Sequence, residues 1–177
     1  MRSALVAVPA PFAELASVHR RRPRPDPLDS RRMPEPRFAM AIARRPISVN
    51  KKGRSTRYVE EIRGDARAHW DRAPIDGPTY VRVLWFHRSA TSQDIDNILK
   101  RIVDGLEGVV YRDDRVVVRC MAARVPMSER ITLPSDATES PAFDELSELL
   151  SRQPAHILYV EVGSVSDPRR FALGTVA

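Results

Sequence analysis

The chain holds a single cysteine, Cys120, in 177 residues. That excludes an internal disulfide and any zinc site built on cysteines. Its four histidines, His19, His69, His87 and His156, are scattered and show no metal-ligand spacing. No run of 18 apolar residues occurs, so no membrane-spanning helix is expected. Residues 1–16 are mildly apolar but lack a sustained hydrophobic stretch. They run into Arg20-Arg21-Arg22-Pro23-Arg24-Pro25, which argues against a secretory signal. A cytoplasmic protein is therefore expected. No internal repeat is visible, and the length suits one domain with a real core rather than two.

What the chain does have is charge, unevenly placed. The formal net charge is +6, which points to an anionic partner. Residues 1–37 carry eight arginines against four acids, and residues 38–72 carry nine Lys/Arg against four acids. Residues 73–177 reverse the balance, with 12 basic residues against 15 acids. Within that acidic part, residues 94–114 gather six acids and one lysine. Clustered carboxylates in a basic protein suit a divalent-cation site facing a polyanion. Hard oxygen ligands favour Mg²⁺ or Mn²⁺, and such ions stabilise the charge that builds up when a phosphodiester is attacked.

The pattern of elements predicts an α+β fold with helices packed on a mixed sheet. Residues 1–36, rich in Pro and Arg without apolar periodicity, read as a disordered basic arm. They fit either non-specific nucleic-acid contact or an upstream extension, with Met33 an alternative start. Strands are expected at 37–42, 80–86, 116–121 and 157–162. Helices are expected at 58–70, where Tyr58, Ile62 and Ala66 share a face, and at 96–107, stopped by Gly108. A short helix at 142–150 lies inside a proline-punctuated segment, 126–155. The aromatic residues Tyr80, Trp85 and Phe86 read as core. Lys51, Lys52, Arg54 and Arg57 read as a basic loop around Gly53, suited to phosphate contact or simply solvated.

Asp94 and Asp96 stand where the loop after the second strand enters a helix. Asp96 has the chemistry of an N-cap. At 1.5 Å per residue Lys100 lies about 6 Å along the axis from Asp96, and Asp104 about 12 Å. Lys100 therefore reaches the rim of a site at Asp96. Asp104 does not share its ligand shell, and pairs instead with Lys100 or a nearby arginine. Asp113 and Asp114 follow the helix by six residues and are expected to face opposite ways on a nascent strand. The intervening chain is long enough to fold back and bring one of them beside Asp94 and Asp96. Taken singly, Asp-x-Asp-Asn is an ordinary capped helix start and Asp-Asp an ordinary turn. An EF-hand is excluded, because its sixth and twelfth positions would be Leu99 and Gly105.

The whole pattern is more specific. Asp94-x-Asp96-Asn97-x-x-Lys100-x-x-x-Asp104-x-Leu106-x-Gly108, followed by Asp113-Asp114, resembles the RusA family of Holliday junction resolvases. Pro46-Ile47-Ser48-Val49-Asn50 matches that family's upstream Pro-x-Ser-x-Asn segment. The resemblance covers roughly residues 37–125, with the last strand fitting the family's closing strand. It implies a nuclease domain over 37–165, from which 126–155 departs as an insertion; residues 166–177 are expected to form a flexible tail. The resemblance implies Asp94, Asp96 and Asp114 as metal-binding catalytic acids and Lys100 as catalytic lysine. Ser48, Asn50, Lys51, Lys52, Arg54 and Arg57 become candidate DNA contacts. The implied activity is Mg²⁺-dependent resolution of branched, four-way DNA by a homodimer, from a bacterium or phage. Other branched-DNA nucleases, a non-cleaving junction binder and a basic interaction module remain as alternatives.

Overall fold

The computed structural model describes residues 36–47, 54–89, 93–128, 131 and 140–166, with Arg54 and Ser55 in backbone only. The arm over 1–35, the candidate contacts Ser48, Asn50, Lys51 and Lys52, and the tail from 167 lie outside the described residues. No helix among the described residues is long and apolar enough to cross a membrane.

The elements are β1 (Pro36–Ile42), α1 (Arg54–His69), β2 (Thr79–His87), α2 (Ile95–Leu106), β3 (Val117–Pro126), α3 (Phe143–Arg152) and β4 (His156–Ser164). The strands form one mixed sheet in the order β1-β4-β2-β3. β4 runs antiparallel to both β1 and β2, and β2 and β3 are parallel. A parallel pair needs a crossover, which α2 supplies. The α+β expectation is met.

Burial explains the elements. In β4 every residue from Ile157 to Gly163 is buried, so this central strand reads as a continuous run rather than an alternating one. Leu158, Val160 and Val162 meet the core under α1 and α2, with Phe38, Met40, Val81, Val83 and Trp85. Ile157 and Tyr159 meet the smaller core under α3, with Ala39, Ala41, Phe86 and Leu146. Helix α2 turns Ile98, Ile102 and Leu106 inward. At Gly105 it comes so close to α1 that an added Cβ would stand 2.6 Å from Ile62 Cγ2. Gly108, at φ +75°, ends the helix in a backbone region that glycine occupies at little cost.

Three expectations change. Helix α1 begins at Arg54, so Arg54 and Arg57 sit on its first turns rather than in a loop. Nothing after Gly53 breaks a helix, and the Tyr58-Ile62-Ala66 spacing continues it backwards. Strand β3 extends to Pro126, because pairing with β2 through His87 sets its length and its own exposed sequence does not. The N-cap of α2 is Asp94, not Asp96.

On the α3 side of the sheet, Glu161 is 3% exposed. It accepts a hydrogen bond from the Tyr159 hydroxyl at 2.6 Å and pairs with Arg82 at 3.0 Å. Ser140, just before α3, bonds the same hydroxyl at 2.8 Å. Burial, then the neighbouring Glu161 carboxylate, pushes the Tyr80 and Tyr159 hydroxyls well above their ordinary pKa. Glu161→Ala would strand the Arg82 charge and the tyrosine hydroxyl in a buried setting. We expect a loss of about 3–5 kcal/mol, read as a lower denaturant midpoint.

Candidate active site

Because β2 and β3 are parallel, both begin at one end of the sheet and finish at the other. Helix α2 runs back between those ends over about 18 Å, at 1.5 Å for each of its residues. Its N-terminus therefore lies near the strand finishes. The Arg124 guanidinium, late in β3, donates to the Gln93 carbonyl at 3.5 Å beside that N-terminus. Here Asp94 and Asp96 stand exposed, with Lys100 exposed one turn further on. Asp94 occupies the cap position, but its carboxylate makes no capping bond. Among the described residues it accepts only from the Asn97 amide, at 3.4 Å. Both carboxylates are thus available to a ligand, at the positive end of the helix dipole.

Strand β1 runs in the same direction as β2, since both oppose β4. Its finish and the start of α1 therefore share this end of the sheet. Arg45 lies close enough to His156, which pairs with His87, to lower the His156 pKa, after the larger effect of burial. Arg44 bridges Glu61 at 2.6 Å and Asp65 at 2.9 Å, and Arg57 bonds Glu61 at 3.0 Å. His87 is buried, with Nδ1 2.8 Å from the Ser89 carbonyl and its ring against Trp85. It is a packing residue and pairs with no acid among the described residues.

At the other end of the sheet the chain after α2 is tightly held. Ile75 N–H donates to the Val110 carbonyl at 2.7 Å, and the buried Tyr111 hydroxyl donates to the Val103 carbonyl at 2.8 Å. Asp114 then opens a single 3-10 turn, Asp114–Val116, that leads into β3. Glu107, Asp113 and Asp114 can each turn one carboxylate oxygen so that all three lie within 4.8 Å of one another. Arg115 grips Asp113 through its side chain at 2.8 and 2.6 Å and its backbone N–H at 2.9 Å. Those bonds hold the Asp113 carboxyl down at a pKa of about 2.

Asp113 and Asp114 therefore share a side rather than facing opposite ways. The reason is the 3-10 turn, which replaces the strand alternation expected at 113–114. Asp104 pairs with Arg101 at 3.4 Å, as its distance from Asp96 suggested. The fold-back that would set Asp114 beside Asp94 and Asp96 does not occur within one chain. A parallel β3 must start level with β2, so the residues after Gly108 lead to that end instead. Glu107 is the acid that the sequence pattern did not single out. The signal for it was Gly108, which turns the chain so that the acid before it meets the pair after it.

The donor set at both ends is carboxylate oxygen without sulfur or imidazole, which fits a hard divalent ion such as Mg²⁺. A family model for the endodeoxyribonuclease RusA matches residues 31–133. The chain belongs to the RusA family. A comparison with curated proteins found no match. The RusA match spans Pro46–Asn50, both groups of acids and Lys100, and stops before α3 and β4. RusA membership makes the chain a nuclease of the Holliday-junction-resolving type, and branched DNA the class of partner.

Proposed function

We propose that this RusA-family chain is a Mg²⁺-dependent homodimeric endonuclease that resolves four-way DNA junctions by paired symmetric nicks. The observation that carries the reading is the RusA match over residues that keep Asp94, Asp96, Lys100 and Asp114 together in one pattern. The separation of those acids supports the dimer. β3 is one of the two outer strands of the sheet. A two-fold axis beside that edge sets two copies antiparallel, so the start of one β3 lies at the finish of the other. Asp114 of one copy then stands beside Asp94 and Asp96 of its partner, and the arrangement repeats once. Two equivalent sites result, which is what a near-symmetric four-way junction needs.

In each site Asp94, Asp96 and Asp114 would hold the ion. When bound, Mg²⁺, or Mn²⁺ in its place, supplies an acidified water and offsets charge on the phosphate under attack. Lys100 is about 6 Å from Asp96 along the helix and is placed to neutralise charge on the phosphate or the leaving oxygen. Ser48, Asn50, Lys51, Lys52, Arg54 and Arg57 are the candidate phosphate contacts, which would position the DNA without reading its sequence. The setting is the cytoplasm of a bacterium, with the chain encoded by the host or by a phage.

The test is Mg²⁺-dependent cleavage of a labelled synthetic four-way junction, beside linear duplex and a flap. Paired nicks confined to the junction are expected. Equal or faster cutting of the flap would move the reading to another branched-DNA nuclease. Binding without nicks in Mg²⁺ or Mn²⁺ would leave a junction-binding protein.

A further inference from the structure

We infer a second DNA contact on the opposite flank of the sheet from β3: a groove along the outer edge of β1 that seats a phosphodiester strand. The inference rests on the nuclease reading; the motif of acids and Lys100 and the Pro46–Asn50 segment do not include these residues, although the RusA match over 31–133 spans Arg37 to Arg72. The groove has a volume of about 400 Å³. It lies between the start of β1, the end of α1 with the turn that follows, and Pro141 ahead of α3.

Its floor is aromatic and its rim is cationic. Phe38 meets Trp70 edge-on at 6.0 Å between ring centroids, and the Arg72 guanidinium stands 5.9 Å from the Trp70 ring centre. Trp70 is 8% exposed, yet its indole N–H has no hydrogen-bond partner among the described residues. Arg37 and Arg72 are exposed lining residues, and neither makes an ion pair among the described residues. Eight other arginines, Arg44, Arg57, Arg63, Arg82, Arg101, Arg112, Arg115 and Arg152, do pair with an acid. Asp71 is the single acid among the described residues that line the groove.

The strand edge adds backbone donors. Ala41 N–H points out of the sheet and reaches a Glu145 carboxylate oxygen at 3.4 Å. Strand hydrogen bonding alternates, so the Ala39 N–H, two residues earlier, faces the same outer side and lines the groove. A groove offering two guanidinium forks without an acid partner among the described residues, and a backbone N–H, is a seat for phosphate oxygens. An extended peptide added to the β1 edge is the competing occupant, but these arginines in place of apolar side-chain pockets favour the polyanion.

Position decides which polyanion. The start of β1 is level with the starts of β2 and β3, so the groove and Asp114 share one end of the sheet. Three strand spacings separate them, about 14 Å at 4.8 Å each. Along duplex DNA that is about four nucleotides of axis, at 3.4 Å per nucleotide. A DNA arm leaving the acids therefore passes the groove within half a helical turn.

The experiment measures binding of a fluorescent four-way junction by the full chain, in Ca²⁺ to prevent cutting, across a series of salt concentrations. Arg37→Ala and Arg72→Ala are compared with Arg152→Ala, which removes an exposed arginine on α3. Each groove substitution should make the slope of log affinity against log salt less negative by about 1, and the pair by about 2. Arg152→Ala should leave the slope unchanged, and thermal midpoints should match throughout. If the wild-type chain binds the junction and the double variant has the same affinity and slope, the groove does not hold DNA, and strand addition by a peptide becomes its better use. If the wild-type chain binds no branched DNA, the nuclease reading fails and takes the groove's role with it.

Discussion

Asp96→Asn will abolish junction cleavage while leaving junction binding and folding intact. The side chain is exposed on the first turn of α2, and no packing or hydrogen bond among the described residues depends on it. The substitution is nearly isosteric but removes one of the charges that hold the ion. Ion-derived stabilisation of a phosphoryl transition state is worth several kcal/mol. Each 1.4 kcal/mol is a factor of ten in rate, so single-turnover cleavage should fall by about 10³-fold or more. Asp104→Asn is the matched control. It lies on the same helix about 12 Å from Asp96, engages Arg101 instead, and should retain most of the rate. A fully active Asp96→Asn chain would remove this carboxylate from the chemistry and the proposed site with it.

How much of this was legible in the sequence depends on what each residue answers to. The Tyr58-Ile62-Ala66 spacing and the alternation around Val81, Val83 and Trp85 report burial directly, and the helices and inner strands followed them. The end of β3 was not legible. Its residues 122–126 are largely exposed and are held as strand by their partners in β2. The start of α1 was obscured by the Pro46–Gly53 loop chemistry, whose influence stops at Gly53. Among the acids, the residue types and their spacing were readable but their meeting was not. Asp94 and Asp114 are 20 residues apart, close enough in sequence to suggest one cluster. Sheet topology alone dictates that a parallel β3 begins about a helix length from where α2 begins. Topology also brings Glu107 against Asp113 and Asp114, a contact that only the turn at Gly108 could have announced.

Chains carrying Asp96→Asn, co-expressed with chains carrying Asp114→Asn, will recover nicking that neither variant has alone. The reason is the division of the acids between the two ends of each chain. If each site takes Asp94 and Asp96 from one copy and Asp114 from the other, a mixed dimer has one site with both substitutions and one with neither. Random pairing makes half the dimers mixed, so recovered nicking should be about a quarter of the wild-type level. The product should also change. One intact site per dimer cuts one strand, so nicked junctions should accumulate in place of resolved duplexes. Pairing Asp94→Asn with Asp96→Asn provides the control, since both substitutions fall at the same end of the chain and every dimer then lacks an intact site. Were each site built within a single chain, every chain in either mixture would carry a damaged one, and no activity would return. Recovery in the first mixture with none in the second would place the catalytic ion between two copies. It would also explain why a protein with its candidate metal-binding acids within 21 residues keeps them a helix length apart.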